Sequence, residues 1–400
     1  MSAGLEAPAA PGSAGLEGSA AGTSAGLEGA AAAANQARVG GADSRPVLFV
    51  TNHAPAFRVG AFAALHDAEE VVFALVGGGV RHGGALADRE LPFPVIRPTQ
   101  RGVGRLAASG RFRAIVAGIS GRVALPAAYL GARAAKIPFV LWATIWRHPH
   151  TAAHALSYLP LRHIYSHADA IATYGPHVSD YVRSKGARAV FEAPQSVDDA
   201  FWSAPAEPIR HAAFQVMFAG RFVREKGLAV LLRAWRASGL RAPEVALIMV
   251  GDGPFRARAV ATGATVPEGP LAPEQLRSFY AGSDVVVVPS IPTRDFLEPW
   301  GLVVNEAFDQ GVPVIATTAV GAAAGGLVRH MQTGLVVPAG DAEALAGALR
   351  RLYDDPELRA RLGAAGRTAV ARGHSHGDWA AGVGRALAAV GASRGGKGGC

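Results

Sequence analysis

From residue 46 onward the chain alternates short apolar runs with longer stretches of mixed polarity. In the first half the runs fall at 46–51, 70–76, 114–117, 138–142 and 170–173, and in the second at 215–219, 245–250, 285–288 and 312–316. Runs of this length, uniformly apolar and closed by turn residues, suit strands covered on both faces. Between them the spacing predicts helices, most clearly over 59–66, 226–238, 273–282, 302–310 and 341–352. Strand and helix in alternation predict a parallel, doubly wound sheet. The rhythm occurs twice, so the expected fold class is α/β, with two facing Rossmann-like domains and a cleft between them. The predicted domains are 46–205 and 206–375, joined around Pro205 and Pro208. A helix over 376–392 is expected to pack back toward the first domain, with 393–400 as a flexible tail.

Length supports two domains, because 400 residues exceed one ordinary core at roughly 100–200 residues per domain. Half of the residues are hydrophobic and 18% are charged, so a sizeable core can form in each half. Residues 1–45 differ: Ala, Gly and Ser dominate, and Ser-Ala-Gly-Leu-Glu recurs at 2–6, 13–17 and 24–28. One leucine per copy buries too little to offset chain entropy, which predicts a disordered tail. The tail has no basic start followed by an apolar run, so it does not read as a secretory signal. A spanning helix, which needs about 18 or more apolar residues, is not expected either. The best candidate, 115–146, is interrupted by Arg122, Arg133 and Lys136. The one cysteine, Cys400, allows no intramolecular disulfide and no cysteine-based metal site.

Net charge is +8, and the block 46–205 carries much of it, with 16 basic and 10 acidic residues. Between Leu91 and Ala168 there are ten Lys or Arg and five His, but no Asp or Glu. Such a stretch attracts phosphates or anionic headgroups through its field. Arg97, Arg101, Arg105, Arg111 and Arg113 alternate with small and apolar residues, as in a helix lying on an anionic membrane surface. The bland alternative is a solvated basic face. Nucleic acid is not an expected partner, since recognition-helix, zinc-finger and aromatic-platform patterns are all missing.

Candidate chemistry is concentrated in the second half. Glu298-Pro-Trp-Gly-Leu-Val-Val-Asn-Glu306 sets two carboxylates eight positions apart, between the strand 285–288 and the strand 312–316. Glu298 precedes the predicted helix and Glu306 lies within it, near the carboxyl ends of strands where ligands of open sheets bind. Gly220-Arg-Phe-Val-Arg-Glu-Lys-Gly227 follows another strand. There Gly220 permits close backbone approach, Arg221 offers a planar fork and Lys226 a compact charge, a pair suited to a diphosphate. A strand-to-helix loop with solvated bases is the plain alternative. Val250-Gly-Asp-Gly-Pro254 reads best as a tight turn after a strand.

In this order, Phe218-Ala-Gly-Arg-Phe-Val-Arg-Glu-Lys-Gly227, Val250-Gly-Asp-Gly-Pro254, the stretch 276–290, Glu298 to Ala307, Gly311-Val-Pro-Val-Ile-Ala316 and Thr333-Gly-Leu-Val-Val-Pro338 resemble the C-terminal half of the retaining glycosyltransferases of family 4. Those enzymes have two facing Rossmann-like domains, the GT-B arrangement. The resemblance implies that Arg221 and Lys226 hold the diphosphate of a sugar nucleotide, with Gly220 beside them. It gives Glu306 the ribose hydroxyls and Glu298 the hydroxyls of the donor sugar, with Trp300, Gly301 and Leu302 against the donor at the helix start. In the first half the resemblance is weaker. The loop 52–60, with Arg58 and Gly60, takes the place of a glycine-rich loop facing the donor phosphates. His148, ahead of His150, takes the place of a histidine near the transferred sugar. Gln195 and Gly326 depart from the family pattern.

The implied reaction is retaining transfer of a sugar from a nucleoside-diphosphate sugar to an acceptor hydroxyl, in cell-envelope glycan, glycolipid or secondary-metabolite synthesis. It requires no metal and no other cofactor, because Arg221, Lys226 and helix-end amides can meet the charge of the leaving diphosphate. The leaving phosphate takes the acceptor proton; Glu298 as a covalent nucleophile ranks lower. The acceptor itself is unspecified, with a lipid-linked or anionic one favoured by the basic stretch, and the expected location is cytoplasmic, on the inner face of the plasma membrane. Two alternatives remain at this level: a sugar-nucleotide 2-epimerase of the same architecture, and a non-catalytic sugar-nucleotide-binding protein.

Overall fold

A computed structural model of the chain describes residues 43–77, 91–119 and 121–394. The repeat-bearing tail up to residue 42 and the last six residues, both expected to be flexible, lie outside the described residues. Two parallel sheets organise the rest. The first comprises β1 (Val47–Thr51), β2 (Val71–Leu75), β3 (Val95–Ile96), β4 (Ala114–Gly118), β5 (Phe139–Ala143), β6 (Ala170–Thr173) and β7 (Val190–Glu192), in the order β3-β2-β1-β4-β5-β6-β7. The second comprises β8 (Phe214–Ala219), β9 (Val245–Val250), β10 (Val285–Val288), β11 (Val314–Thr317) and β12 (Gly334–Val337), in the order β12-β11-β10-β8-β9. Every strand pairing among the described residues is parallel, with Val47 opposite Val71 on one side of β1 and Ala114 on the other. Strand order reverses beside β1 in the first sheet and beside β8 in the second, which opens a crevice at the carboxyl ends of both.

The long strands coincide with the apolar runs because helices cover both sheet faces, leaving no position that water selects for polarity. β1, β4 and β5 are buried along their whole length. β3, β7 and β12 were not foreseen as strands. Two to four residues long, they carry too short a pattern to stand out, and pairing with a neighbour defines them.

The final helix, His376–Ala389, packs on the first domain, against the helix Ala56–Glu69 and the strands β6 and β7. Ser375 and Asp378 cap it reciprocally: the Ser375 backbone N–H donates to Asp378 at 2.9 Å, and the Asp378 N–H donates to Ser375 Oγ at 3.1 Å. Its Trp379 is fully buried, with its ring 5.6 Å from both Phe62 and Trp142 and 6.2 Å from Phe49. Rings at such separations add about 0.5–1.5 kcal/mol per pair beyond their burial. Gly382 admits the backbone of 192–193: a Cβ there would fall 2.4 Å from the Glu192 carbonyl oxygen. Gly60 serves the same packing. It lies inside the helix Ala56–Glu69, and a Cβ would meet the His376 ring at 2.3 Å.

The basic stretch is not one helix face. The helix within the arginine run 97–113, Gly102–Ala107, is six residues long, with Val103 and Ala107 turned into the core. Arg97, Arg101, Arg105 and Arg111 are exposed on a strand end, this helix and a loop. Arg113 is 4% exposed and belongs to the core. It pairs with Glu69 at 2.9 Å and donates to the carbonyls of Arg45, Glu69 and Ala392 at 2.6–2.8 Å, which satisfies a buried guanidinium. The expected membrane-lying arginine helix is therefore corrected by packing: the apolar residues between the arginines point inward from different elements. Among the described residues, no helix is long and apolar enough to cross a membrane.

Where the second domain meets the connecting helix Asp199–Ser203, Asp309 is 3% exposed and one of its carboxylate oxygens has no hydrogen-bond partner. Burial, helped by Asp199 and opposed by Arg367, pushes its pKa up to about 7. Between the ordinary carboxylate pKa and about 7 the folded chain keeps a proton that the unfolded chain releases, so stability falls as pH rises through that window.

Two stability predictions follow from these contacts. Gly382→Ala should overpack the helix against 192–193 and cost about 1–3 kcal/mol, read as a lower midpoint in thermal unfolding; an unchanged midpoint would mean that the helix shifts freely. Asp309→Asn should raise the midpoint at about pH 8 and shrink the fall between about pH 5.5 and 8, by scanning calorimetry. An identical pH profile in both proteins would show that Asp309 titrates as it does in water.

Candidate functional site

A cavity of about 680 Å³ lies between the two sheets, at the carboxyl ends of β1, β4 and β5 on one wall and of β8 and β10 on the other. Its charged lining consists of Arg58, Arg221, Lys226 and Glu298, an excess of two positive charges among the described residues if its one histidine, His53, is neutral.

The second-domain wall is built by glycines that let loops close on one another. β8 ends at Ala219, and Gly220 follows at φ +148°. Gly251 and Gly253 lie against the backbone of Gly220 and Phe222, so that a Cβ would fall 1.9 Å from the Gly220 oxygen or 2.7 Å from that of Phe222. Val250-Gly-Asp-Gly-Pro254 thus supports the Gly220 loop from behind, without lining the cavity. The loop then makes a single turn, Arg224–Lys226, closed by Gly227 at φ +72°. A Cβ on Gly227 would lie 1.8 Å from the Pro289 oxygen, so only glycine can press this turn onto the end of β10.

That contact delivers Lys226 to Glu298. The ammonium stands 2.5 Å from one carboxylate oxygen, and Ser290 Oγ donates to the same oxygen at 3.0 Å. Glu298 is 6% exposed and held by its backbone as well: its carbonyl accepts from Trp146 Nε1 at 3.0 Å and from the Gly321 N–H at 3.1 Å. Arg221, half-exposed on the same loop as Lys226, lies within 3.4 Å of Glu225 and can turn into the cavity. A surface pair of this kind holds its arginine weakly.

Next along the chain, Trp300 is buried and tilts between the imidazoles of His177 and His374, with centroids 5.9 and 5.4 Å away. Its Nε1 donates to Asn305 Oδ1 at 2.8 Å, and Asn305 Nδ2 donates across to the Gln195 carbonyl at 3.2 Å. His374 Nδ1 shares that carbonyl at 3.1 Å, and His177 Nε2 meets the Pro299 carbonyl at 3.1 Å. Burial lowers the pKa of both histidines, so at neutral pH each is an uncharged imidazole donating through the nitrogen named. Gly301 and Leu302 complete this wall.

On the opposite wall Arg58 lies in the first turn of the helix Ala56–Glu69, 3% exposed. It donates to the Tyr174 hydroxyl at 3.2 Å and to the Gln195 side chain, and its guanidinium lies 5.3 Å from the centre of the Trp142 ring.

Eight of the predicted residues therefore line one cavity: Arg58, Gly220, Arg221, Lys226, Glu298, Trp300, Gly301 and Leu302. Three do not. Gly60 is a helix-packing residue, one turn too deep to face the cavity. His148 is half-buried, packs its ring on Tyr158 with centroids 4.8 Å apart, and does not line the cavity. Its runner-up His150 is exposed, and its N–H donates to the Arg294 carbonyl at 2.8 Å. Glu306 lies one turn below Leu302 and accepts from the Tyr280 hydroxyl at 2.6 Å. Burial pushes its pKa up to about 7, with the tyrosine bond pulling the other way. Sequence reasoning passed over Ser290, Tyr174, Trp146 and His177, each an isolated residue in a loop or at a strand or helix end. Gln195 was noticed, but only as a departure from a family pattern. Among the described residues no group of three or more His, Cys, Asp or Glu is arranged to hold a metal.

Comparison with known proteins agrees with this geometry. Residues 203–369 match the family model for glycosyl transferases group 1. A D-inositol 3-phosphate glycosyltransferase of Pseudarthrobacter chlorophenolicus is 35% identical over 166 residues, which cover 38% of this chain and 37% of that protein. The lipopolysaccharide core biosynthesis glycosyltransferase LpsD of Rhizobium meliloti is 31% identical over 222 residues, 50% of this chain and 58% of that one. The matched stretch thus spans 37–58% of the length of these two relatives. Likeness in fold extends further. Anabaena Alr3699/HepE in complex with UDP and glucose superimposes with a TM-score of 0.66 at 18% identity, covering 86% of this chain and 99% of that one. Sucrose-phosphate synthase from Thermosynechococcus elongatus gives 0.65 at 19% identity, covering 85% and 98%. The stretch that matches the glycosyl transferases group 1 model, residues 203–369, thus lies within a chain that shares the two-sheet GT-B fold of these solved structures.

Proposed function

We propose that this protein is a retaining glycosyltransferase of the family 4 type, moving a sugar from a nucleoside-diphosphate sugar to an acceptor hydroxyl. The observation that carries the proposal is the meeting of Arg221, Lys226 and Glu298 at one cavity wall, where two cations on one loop can meet a diphosphate. The names of relatives support a nucleotide-sugar donor: one is a GDP-mannose-dependent mannosyltransferase, and the Anabaena structures hold UDP and UDP-glucose.

In this reading Lys226 and Arg221 bind the diphosphate and stabilise the charge that grows as its bond to the anomeric carbon breaks. Glu298, fixed by Ser290, Lys226 and two backbone bonds, hydrogen-bonds the hydroxyls of the donor sugar. A carboxylate committed to an ammonium and a hydroxyl is a positioning group more than a nucleophile. The acceptor oxygen then bonds to the anomeric carbon on the face the phosphate leaves, and its proton passes to that phosphate. Two cationic side chains supply the charge that a metal would otherwise supply, so transfer is proposed to be metal-independent. Glu306 is proposed to meet the ribose, releasing Tyr280 as it does so. The proposed setting is the cytoplasm, at the inner face of the plasma membrane, with a lipid-linked or anionic acceptor.

In a screen of nucleoside-diphosphate sugars, with release of nucleoside diphosphate as the readout, Arg221→Ala and Glu298→Gln should each lower kcat/KM by about 100-fold or more. Full activity is expected in the presence of a chelator. Wild-type turnover in both variants would sink the assignment. Conversion of the donor to its 2-epimer without any acceptor would replace transfer by epimerisation, and failure to bind any nucleoside diphosphate in calorimetry would leave a non-catalytic protein.

A further inference from the structure

The helices Ala124–Ala135 and Ala152–His167 lie side by side against the first sheet. The Tyr129 ring stands edge-on to His163 at 5.7 Å, and Arg133 donates to the His167 carbonyl at 3.3 Å. Each contact is four residues beyond the other on both helices, so the helices run parallel and in register. That register brings Leu156 to the level of Arg122, at the start of the first helix. Leu156 is 86% exposed, Leu159 72%, Leu130 63% and Val123 45%. These are four of the seven large apolar side chains exposed among the described residues, gathered on two adjoining helices. One exposed leucine is ordinary; a cluster marks a contact surface.

The charges around it are of one sign. Arg122, Lys136 and Arg162 are exposed there, with His163 and His167. Residues 91–168 contain no acid, and Asp169, just beyond, is held by Arg133 at 2.6 Å. A second copy of the chain meeting this face through a twofold axis would set bases against bases. An anionic bilayer complements both features, taking the leucines among its acyl chains and the bases among its headgroups. The location suits the cavity as well. The helices start from the carboxyl ends of β4 and β5, and Gly118, Ile119 and Thr144, at those same ends, line the cavity.

We infer that this pair of helices docks the protein on an anionic membrane surface through Leu130, Leu156 and Leu159, with the cavity mouth at the membrane side. The inference deepens the proposed membrane partner and rests it on exposed leucines in place of an arginine helix. Its test needs no turnover, so its failure is separate from failure of the transferase reading. Flotation is measured with vesicles of phosphatidylglycerol and phosphatidylcholine at about 3:7, and with phosphatidylcholine alone. Wild-type protein should float with the anionic vesicles and stay behind with the neutral ones. Leu156→Gln with Leu159→Gln should reduce the bound fraction about 10-fold or more, and Arg122→Gln with Arg162→Gln should weaken binding and its salt dependence. All of these side chains are exposed, and an unchanged thermal midpoint checks the fold of each variant. Equal flotation of wild type and the leucine variant overturns the inference, as does equal binding to both vesicles. A dimer in solution that the leucine variant abolishes, with no vesicle binding, assigns the face to a second copy instead.

Discussion

The indole of Trp300 lies between two neutral imidazoles, and its N–H is committed to Asn305, whose amide crosses to the carbonyl of Gln195. That carbonyl also takes His374, while the side chain of the same glutamine takes Arg58 from the opposite wall. One short relay of buried polar groups therefore ties the donor-side motif to the first domain. Trp300, Asn305, His374 and Gln195 are bonded within the relay, while Arg58 Nη1 and His177 Nδ1 are buried without a hydrogen-bond partner. Trp146, His150 and His177 add further bonds between the two walls, to the carbonyls of Glu298, Arg294 and Pro299.

Electrostatics inside the cavity depend on that frame. Lys226 reaches Glu298 only because Gly227 lets its turn close on the end of β10, and Glu298 is presented by a backbone clamped between Gly321 and Trp146. Lys226 is held by Glu298 at the cavity wall, and Arg221 stands half-exposed on the same loop. Glu306 behaves differently, since burial pushes its pKa up to about 7 and its partner is a tyrosine. Two glutamates eight positions apart in the sequence thus occupy unlike environments, one ionically paired at the cavity and the other withdrawn beneath it.

Much of the fold could be read along the chain. β1, β2, β4, β5, β6, β8, β9 and β10 lie where apolar runs place them, because strands buried on both faces leave an unbroken hydrophobic signature. The Arg221, Lys226 and Glu298 motifs were equally legible, since their spacing is local: a loop after a strand, a turn before a helix. What escaped were contacts between residues more than a hundred positions apart. Gln195, His177 and Trp146 carry no local pattern, and His148 looked better placed than it is because nothing in its own segment reveals that its ring packs on Tyr158. Gly60 was misjudged for a related reason. A glycine near a strand end reads as a ligand-facing residue until a helix from the far end of the chain, bearing His376, is seen to rest on it.

By itself the sequence determined the elements, the α/β class, the two-domain rhythm and the residues that bring charge to the cavity, all properties set by short-range periodicity and by turn chemistry. The tertiary structure decided which of those residues share a space. It withdrew Arg113 into the core, gathered the leucines of two separate helices into one exposed patch, and tied Trp300 to Gln195. The physical reason is the same in each case: burial and pairing belong to residues brought together from distant parts of the chain, and no local window of sequence contains both partners.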